Sequence, residues 1–570
     1  MLSNEIKELV KKYAIKNAVE YGSARAENVI GKAIRKVPKT EIEELKRLVG
    51  QVVAQVNSLP EDELQREYSN YEKEFEAQYE KRAEASSKPR MVLEGAKEGD
   101  FATRFPPEPG GYMHIGHANA AFLGQEFAKM YRGQLFLYFD DTDPEKESQE
   151  FVDAFKKDLD WLGIRFDREF YASDNIEKIY EYARLLINEG KAYACECPAE
   201  QTKKDRFAGN ECKHRDSDPS VNLEKFDMML ANKYEEEKIS IRFKGNMKSL
   251  NTALRDPTIL RIKKGRHYRQ GTKYVLWPTY DFSTPINDSI NGVTDAIRTK
   301  EYELRDELYN MVLDAVGLRK PRLHLHARFV IKDNITSKRK LNQLVKDGLI
   351  KGYDDPRLIT IAALRRRGIQ VGAIKKFVLS VGMTKVESSV GLAPLLSENK
   401  KLIDQKSRRL YYVPAPVDLQ VNNFENKTVR LNFHPTEKLG YREYTARNKF
   451  YISGEDATSL KENEIIKLKE LFSVRVNRGE DYWMGSIVDA ETEKRVQWVC
   501  DGNFVKCSVL VPGAPLDDEG NFKKGSLQVN EGYVESCAAG LNEREIVQFE
   551  RFGFCVLDNK EKMQFILISK

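Results

Sequence analysis

His114-Ile115-Gly116-His117 is the strongest local signal in the chain, set between a strand-like run and the start of a helix-like run. A helix N-terminus offers unpaired backbone N–H groups and the positive end of a dipole, and glycine lets an anion approach the chain. Two imidazoles add donors whose hydrogen bonds strengthen as charge develops on a pentavalent phosphorus. Gly110-Gly111 supplies the sharp turn that leads in. The chemistry implied is the holding of a reacting phosphate. A second constellation is Cys195-Glu196-Cys197 followed, after fourteen residues, by Cys212-Lys213-His214. Two such pairs from separate turns supply four tetrahedral N/S ligands, enough for a closed structural zinc site at Cys195, Cys197, Cys212 and His214. The alternative is reduced thiols on a surface hairpin. A third run, Ile335-Thr336-Ser337-Lys338-Arg339, reads by composition alone as a solvated basic loop.

These groups must be positioned by 570 residues, enough for three or more domains. With 41% hydrophobic and 32% charged residues, the composition is that of a soluble globular protein rather than a disordered one. The 93 basic and 88 acidic residues leave a net charge of only +5, so a polyanionic partner would need a local basic surface. No apolar run is long enough to cross a bilayer. MLSNEIKELVKKY lacks the apolar core of a signal peptide. Seven cysteines in such a chain point to a reducing compartment, so a cytoplasmic protein without a membrane partner is expected.

Residues 1 to about 95 carry apolar residues at three and four spacings, as in EIKELVKKYAIKNAVEYG and TEIEELKRLVGQVVAQVNSL, and predict helices ending at a Ser86–Pro89 linker. They read as a helical appendage or as a docking arm for a partner. From Phe101 the run ATRFPPEPGGYMHIGHANAAF predicts strand, turn and helix, and QLFLYFDDTDPEKE a second strand ending in acidic residues. A further α/β stretch, YVLWPTYDFSTPINDS with KEYELRDELYNMVLDAVGL, follows more than a hundred residues later. Together they predict a parallel sheet with crossover helices, interrupted by an insertion. Residues from about 340 to 400 predict basic helices. After Leu410, short runs such as KTVRLNF, KFYISG and CSVLVPG predict one or two small β-barrels.

RFPPEPGGYMHIGHANAA resembles, nearly letter for letter, the first signature of the class I aminoacyl-tRNA synthetases for glutamate and glutamine. Ile335–Arg339 resembles their second signature, best known as KMSKS. LRDPTILRIKK, WPTYDF, INGVTDAIRTKEY and IVQFERFGFCVLD are similar to the archaeal and eukaryotic branch, so the resemblance covers nearly everything from Phe101 to Lys570. It implies a multidomain α/β protein. A Rossmann-type catalytic domain would occupy 96–194 and 274–327, with an acceptor-end-binding domain and its zinc knuckle inserted at 195–273. A helical subdomain with the KMSKS-like loop would span 328–408 and anticodon-binding β-barrels 409–570, behind an N-terminal helical extension at 1–95.

The resemblance also implies ATP, Mg²⁺ carried by its phosphates, structural Zn²⁺, an amino acid and tRNA as ligands. His114, His117, Lys338 and Arg339 would be catalytic, acting on the phosphates as pyrophosphate leaves. Pro107, His114, Gly116, His117, Ser337 and Lys338 would bind ATP; Arg104, Asp140, Tyr280 and Arg298 would bind the amino acid, with Asp140 on its α-ammonium. Arg255, Asp256, Lys263, Lys264 and Arg266 would meet the tRNA acceptor end. Two positions depart from the pattern. Ile335 replaces the first signature lysine, and Tyr138 stands where relatives carry arginine.

Substrate choice turns on Arg298, which falls where the glutamate enzymes have arginine and the glutamine enzymes an uncharged residue. A carboxylate wants a fixed guanidinium, whereas an amide beside buried Arg298 would leave its charge uncompensated at a cost of several kcal/mol. The expectation is L-glutamate attached to tRNA-Glu through glutamyl-adenylate, with tRNA-Gln left open as a second acceptor. If Arg298 instead pairs with Glu301 or Asp295, a glutamine enzyme is the alternative; a non-catalytic tRNA-binding scaffold is the alternative of another class. The N-terminal helices are the expected seat of any protein partner.

Overall fold

The computed structural model describes residues 4–33, 37, 41–60, 63–71, 92–335, 337–385 and 388–570. The chain divides into two compact units, Met1–Pro89 and Arg90–Lys570. In the first, helices Asn4–Tyr21, Ala26–Ala33 and Ile42–Asn57 follow the predicted periodicity, and 63–71 is helical. Their apolar stripes bury Val10, Ala14, Ile15, Val29, Leu45 and Val49 together. Asn57, at the end of the third helix, accepts from the Ala24 N–H and donates to its carbonyl, which fixes the turn between the first two. The Ser86–Pro89 linker lies outside the described residues.

The second unit is built on parallel strands. Ala102–Phe105, Gln134–Phe139 and Arg168–Tyr171 pair in that order. Asp295–Thr299 pairs with Arg322–His326, and the Thr294 N–H to Ala102 carbonyl bond of 2.8 Å sets this pair beside the first strand. QLFLYF is buried at all but its first residue, as a strand covered on both faces requires. Helix Ile115–Met130 carries the chain from the first strand to the second.

The insertion is a four-stranded antiparallel sheet, Ala192–Cys195, Ser240–Phe243, Thr258–Ile262 and Leu276–Pro278. Its first and last strands pair within the insertion and not with the parallel sheet, so its limits lie outside the expected 195–273. Beyond the catalytic sheet come helices Lys338–Lys346, Ile361–Arg366, Val371–Leu379 and Ala393–Ile403, with a parallel strand pair, Phe329–Ile331 and Ser388–Val390. Ile335, at the departing signature position, is buried against Leu341, Leu344, Ile350 and Leu358. It is an apolar anchor for the loop.

The C-terminal region forms two seven-stranded sheets, each closed by one interrupted strand. Arg408–Leu410 pairs with Ile546–Phe549 at one end of its sheet, while Tyr412–Pro414 pairs with Leu527–Glu535 at the other. Arg495–Val496 and Val499–Cys500 do the same for the sheet that spans 417–500. Both are therefore barrel-like, and the chain starts the one that packs on the helical subdomain through Phe554, Val556 and Ile568, completes the other over 417–500, then returns. Among the described residues, no helix is long and apolar enough to cross a membrane.

Candidate active site

His114 caps helix Ile115–Met130 with its own ring: Nδ1 accepts the Gly116 N–H at 3.1 Å. The His114 N–H in turn donates to Nδ1 of His117 at 3.2 Å. Each Nδ1 is an acceptor, so each ring carries its proton on Nε2. The rings stack with centroids 3.8 Å apart. A Cβ on Gly116 would lie 2.9 Å from His114 Cε1, so only glycine permits this packing. Main-chain bonds from Ile115 to Ile359 and from Ile361 to Met113 tie the motif to the helical subdomain. Burial, with Arg328 nearby, pushes His114 down to about 4, and burial pushes His117 well below the usual histidine range. The pair is neutral at physiological pH and offers N–H donors rather than cations.

A cleft of about 630 Å³ gathers Arg104, Pro107, His114, Gly116, His117, Asp140, Tyr280 and Arg298. Strand ends position most of them: Arg104 from the first strand, Asp140 just past the second and Arg298 from Asp295–Thr299. Arg104 donates from Nε to Asp288 at 2.8 Å and from Nη1 to the Ile297 carbonyl at 2.9 Å, while its buried Nη2 has no protein partner. Arg298 donates from Nη1 to Asp306 at 3.0 Å, and its buried Nε and Nη2 have none. Asp295 is held by Arg322 and His324, and Glu301 by Arg328. Neither is the partner of Arg298. Unpaired buried guanidinium nitrogens are costly, and a bound carboxylate would satisfy them.

Asp140 supplies the opposite charge. Its buried Oδ1 lacks a protein partner, and burial, with Glu108 and Asp141 adding to it, pushes its carboxyl up to about 7. Tyr138, buried in the strand beneath, brings no charge, and Arg104 is the cation that favours the ionised form. The second signature is seen in part. Ser337 caps helix Lys338–Lys346 through Oγ, Lys338 begins that helix, and Arg339 is exposed.

Two acceptor-end expectations are corrected. Asp256 is fully buried and accepts from Tyr193 Oη, Arg215 Nε and the Gly245 N–H, so it is a structural node. Arg255 donates to the carbonyls of Ser249, Arg206 and Phe207 and clamps the insertion together. Lys263 pairs with Asp143 and Glu145, which docks the insertion on the loop after Asp140. Lys264 pairs with Glu235 at 2.8 Å, and Arg266 is exposed. Sequence reasoning missed Asp288, Tyr302, Asp306 and Tyr309. Only Asp288, a carboxylate inside the otherwise buried face of helix Tyr280–Ile290, left a readable signal.

Cys195, Cys197, Cys212 and His214 converge with all ligand atoms within 4.8 Å of one another. Sγ of Cys212 is 3.5 Å from each of the other two sulfurs and 3.4 Å from His214 Nδ1. Such separations suit a tetrahedral metal with bonds of about 2.0–2.3 Å. Arg242 Nη1 donates to Cys195 Sγ at 3.8 Å.

A parallel sheet with paired histidines at its crossover, an antiparallel insertion and distal barrels defines a class I aminoacyl-tRNA synthetase. The family described as "tRNA synthetases class I (E and Q), catalytic domain" matches residues 100–404, and two families for their anti-codon binding domain match 407–493 and 495–558. The chain belongs to the class I tRNA synthetases for glutamate and glutamine. It is 38% identical to the Glutamate--tRNA ligase of Nitrosopumilus maritimus over 99% of this chain and 100% of that protein. It is 36% identical to the Glutamate--tRNA ligases of Cenarchaeum symbiosum, over 97% and 98% of the two chains, and of Pyrococcus furiosus, over 99% of each.

If Asp140 receives the amino acid's ammonium, the ammonium must compete with a proton there. The carboxylate form, which binds ammonium, is lost as pH falls through about 7. The KM for the amino acid is therefore expected to rise about tenfold per unit below that point and to level off above it. The histidine pair, already neutral, adds no titration near 6.5. Steady-state charging across pH checks this, and a KM that stays flat through the range would contradict it.

Proposed function

We propose that this chain attaches L-glutamate to tRNA-Glu at the expense of ATP. The observation that carries the choice of glutamate is Arg298, whose Nε and Nη2 lie buried and unpartnered against the cleft. A side-chain carboxylate accepts from both; an amide would bring an unwanted N–H and no charge. Arg104 Nη2 adds a third donor, and Asp140 receives the α-ammonium. The α-carboxylate oxygen then attacks the α-phosphorus of ATP, forming glutamyl-adenylate as the bond to pyrophosphate breaks. Nε2–H groups of His114 and His117 stabilise the charge on the phosphate oxygens. The terminal ribose hydroxyl of tRNA next attacks the acyl carbon, and AMP leaves. No side-chain nucleophile is needed, so catalysis is positioning and charge stabilisation.

Mg²⁺ accompanies ATP through its phosphates. Ser337, Lys338 and Arg339 on the signature loop meet the departing pyrophosphate. Lys263, Lys264 and Arg266 remain as acceptor-end contacts on the insertion, and the barrels carry the anticodon. Cys195, Cys197, Cys212 and His214 hold a structural Zn²⁺ that fixes the insertion. The reading places the enzyme in the cytoplasm, with the N-terminal helices available to a protein partner.

Charging of separated tRNA-Glu and tRNA-Gln with labelled glutamate and, in parallel, labelled glutamine tests this directly. Glutamate is expected on tRNA-Glu with glutamine refused; glutamine attached instead would replace the reading. Whether tRNA-Gln also accepts glutamate is read from the same assay. For the metal, protein purified without chelator is expected to carry about one zinc per chain, lost together with thermal stability on chelation. A metal-free protein of unchanged melting temperature would overturn that assignment.

A further inference from the structure

The segment that follows Arg298 surrounds it. Tyr302 lies in the short helix Lys300–Arg305, and Asp306 and Tyr309 in the first turns of helix Asp306–Ala315. With Tyr280 they enclose the guanidinium: its carbon lies 5.1 Å from the Tyr302 ring, 5.2 Å from Tyr309 and 5.8 Å from Tyr280. Tyr280 and Tyr302 also pack on each other, 4.8 Å between centroids. Three rings confine the plane of the guanidinium but cannot choose which of its edges faces the cleft. The Asp306 bond to Nη1 makes that choice, because it occupies Nη1 and leaves Nε and Nη2 without a protein partner. The other arginine is held differently: Arg104 and Asp288 are both almost wholly buried and are pinned from two sides. Asp306 is instead about a quarter exposed and, among the described residues, is the one hydrogen-bond partner of the Arg298 side chain.

We infer that Asp306 is a positioning residue that sets amino-acid selectivity by fixing which edge of Arg298 meets the substrate side chain. This rests on the glutamate reading above. Asp306 is not among the described residues that line the cleft, so it would act through Arg298. A purely electrostatic role has the opposite sign, since an acid beside Arg298 weakens attraction for a carboxylate and its removal would tighten glutamate binding.

Three chains separate these cases: wild type, Asp306→Asn, which keeps an acceptor oxygen without charge, and Asp306→Ala, which removes both. Glutamate and glutamine KM and kcat are measured in the charging assay. Positioning predicts that Asp306→Ala raises the glutamate KM about tenfold, as for loss of one charge-assisted contact, with kcat little changed. The preference for glutamate over glutamine falls in parallel, the ATP KM stays put, and Asp306→Asn recovers most of the loss. A lower glutamate KM in both variants, or an unchanged preference in Asp306→Ala, would overturn the inference. Wild-type protein that refuses glutamate would instead overturn the functional reading, before any variant is compared.

Discussion

A guanidinium carried into a protein interior needs an anion, and this site brings in two. Arg104 and Arg298 are each almost fully buried, and each has one carboxylate of its own, Asp288 and Asp306. One carboxylate cannot occupy all the donors of a guanidinium fork. The remainder, Nη2 of Arg104 with Nε and Nη2 of Arg298, are buried without protein partners in two residues that line the cleft. A bound carboxylate would satisfy that shortfall. Asp140, raised by burial and unpartnered at Oδ1, supplies the complementary place for a cation. Under the proposed function, recognition of an amino acid with an acidic side chain would rest on groups that the fold leaves incomplete.

The rest of the catalytic unit holds these groups in place. Arg104 and Arg298 come from strands nearly two hundred residues apart in the chain, adjacent in space because Thr294 bonds the main chain of Ala102. The loop after Asp140 is docked by Lys263 and Arg261 of the insertion onto Asp143. The histidine pair is locked by its own backbone and by residues 359–361 of the helical subdomain. Three parts of the unit thus set one cleft, which suits a reaction whose catalysis is positioning.

Much of this was legible in the sequence, for identifiable reasons. Parallel strands buried on both faces are continuous apolar runs, so QLFLYF announced itself, and the histidine motif marked its helix start. All eight residues expected in the amino-acid site and the first ATP signature meet in one cleft. The four zinc-type ligands, split between two turns, also converge. What stayed hidden was pairing. Nothing in LRDPT tells that Arg255 grips carbonyls or that Asp256 is fully buried, because basic and acidic residues look alike whether they face RNA or protein. The same ambiguity concealed Asp306, which reads as an ordinary acidic residue in the first turn of a helix. The closure of the barrels was equally invisible, since it depends on a strand changing partners at Tyr411 in one sheet and between Val496 and Val499 in the other.

The most direct test of the account is the charging of tRNA by Arg298→Gln, with glutamate and glutamine supplied separately. If the unpartnered edge of Arg298 receives the substrate carboxylate, kcat/KM for glutamate falls by roughly a hundredfold or more, the loss expected when one partner of a buried charge pair is removed. Glutamine should then compete on nearly equal terms. A variant that keeps glutamate charging within about tenfold of wild type, a change of about 1.4 kcal/mol, would mean that the carboxylate is bound elsewhere.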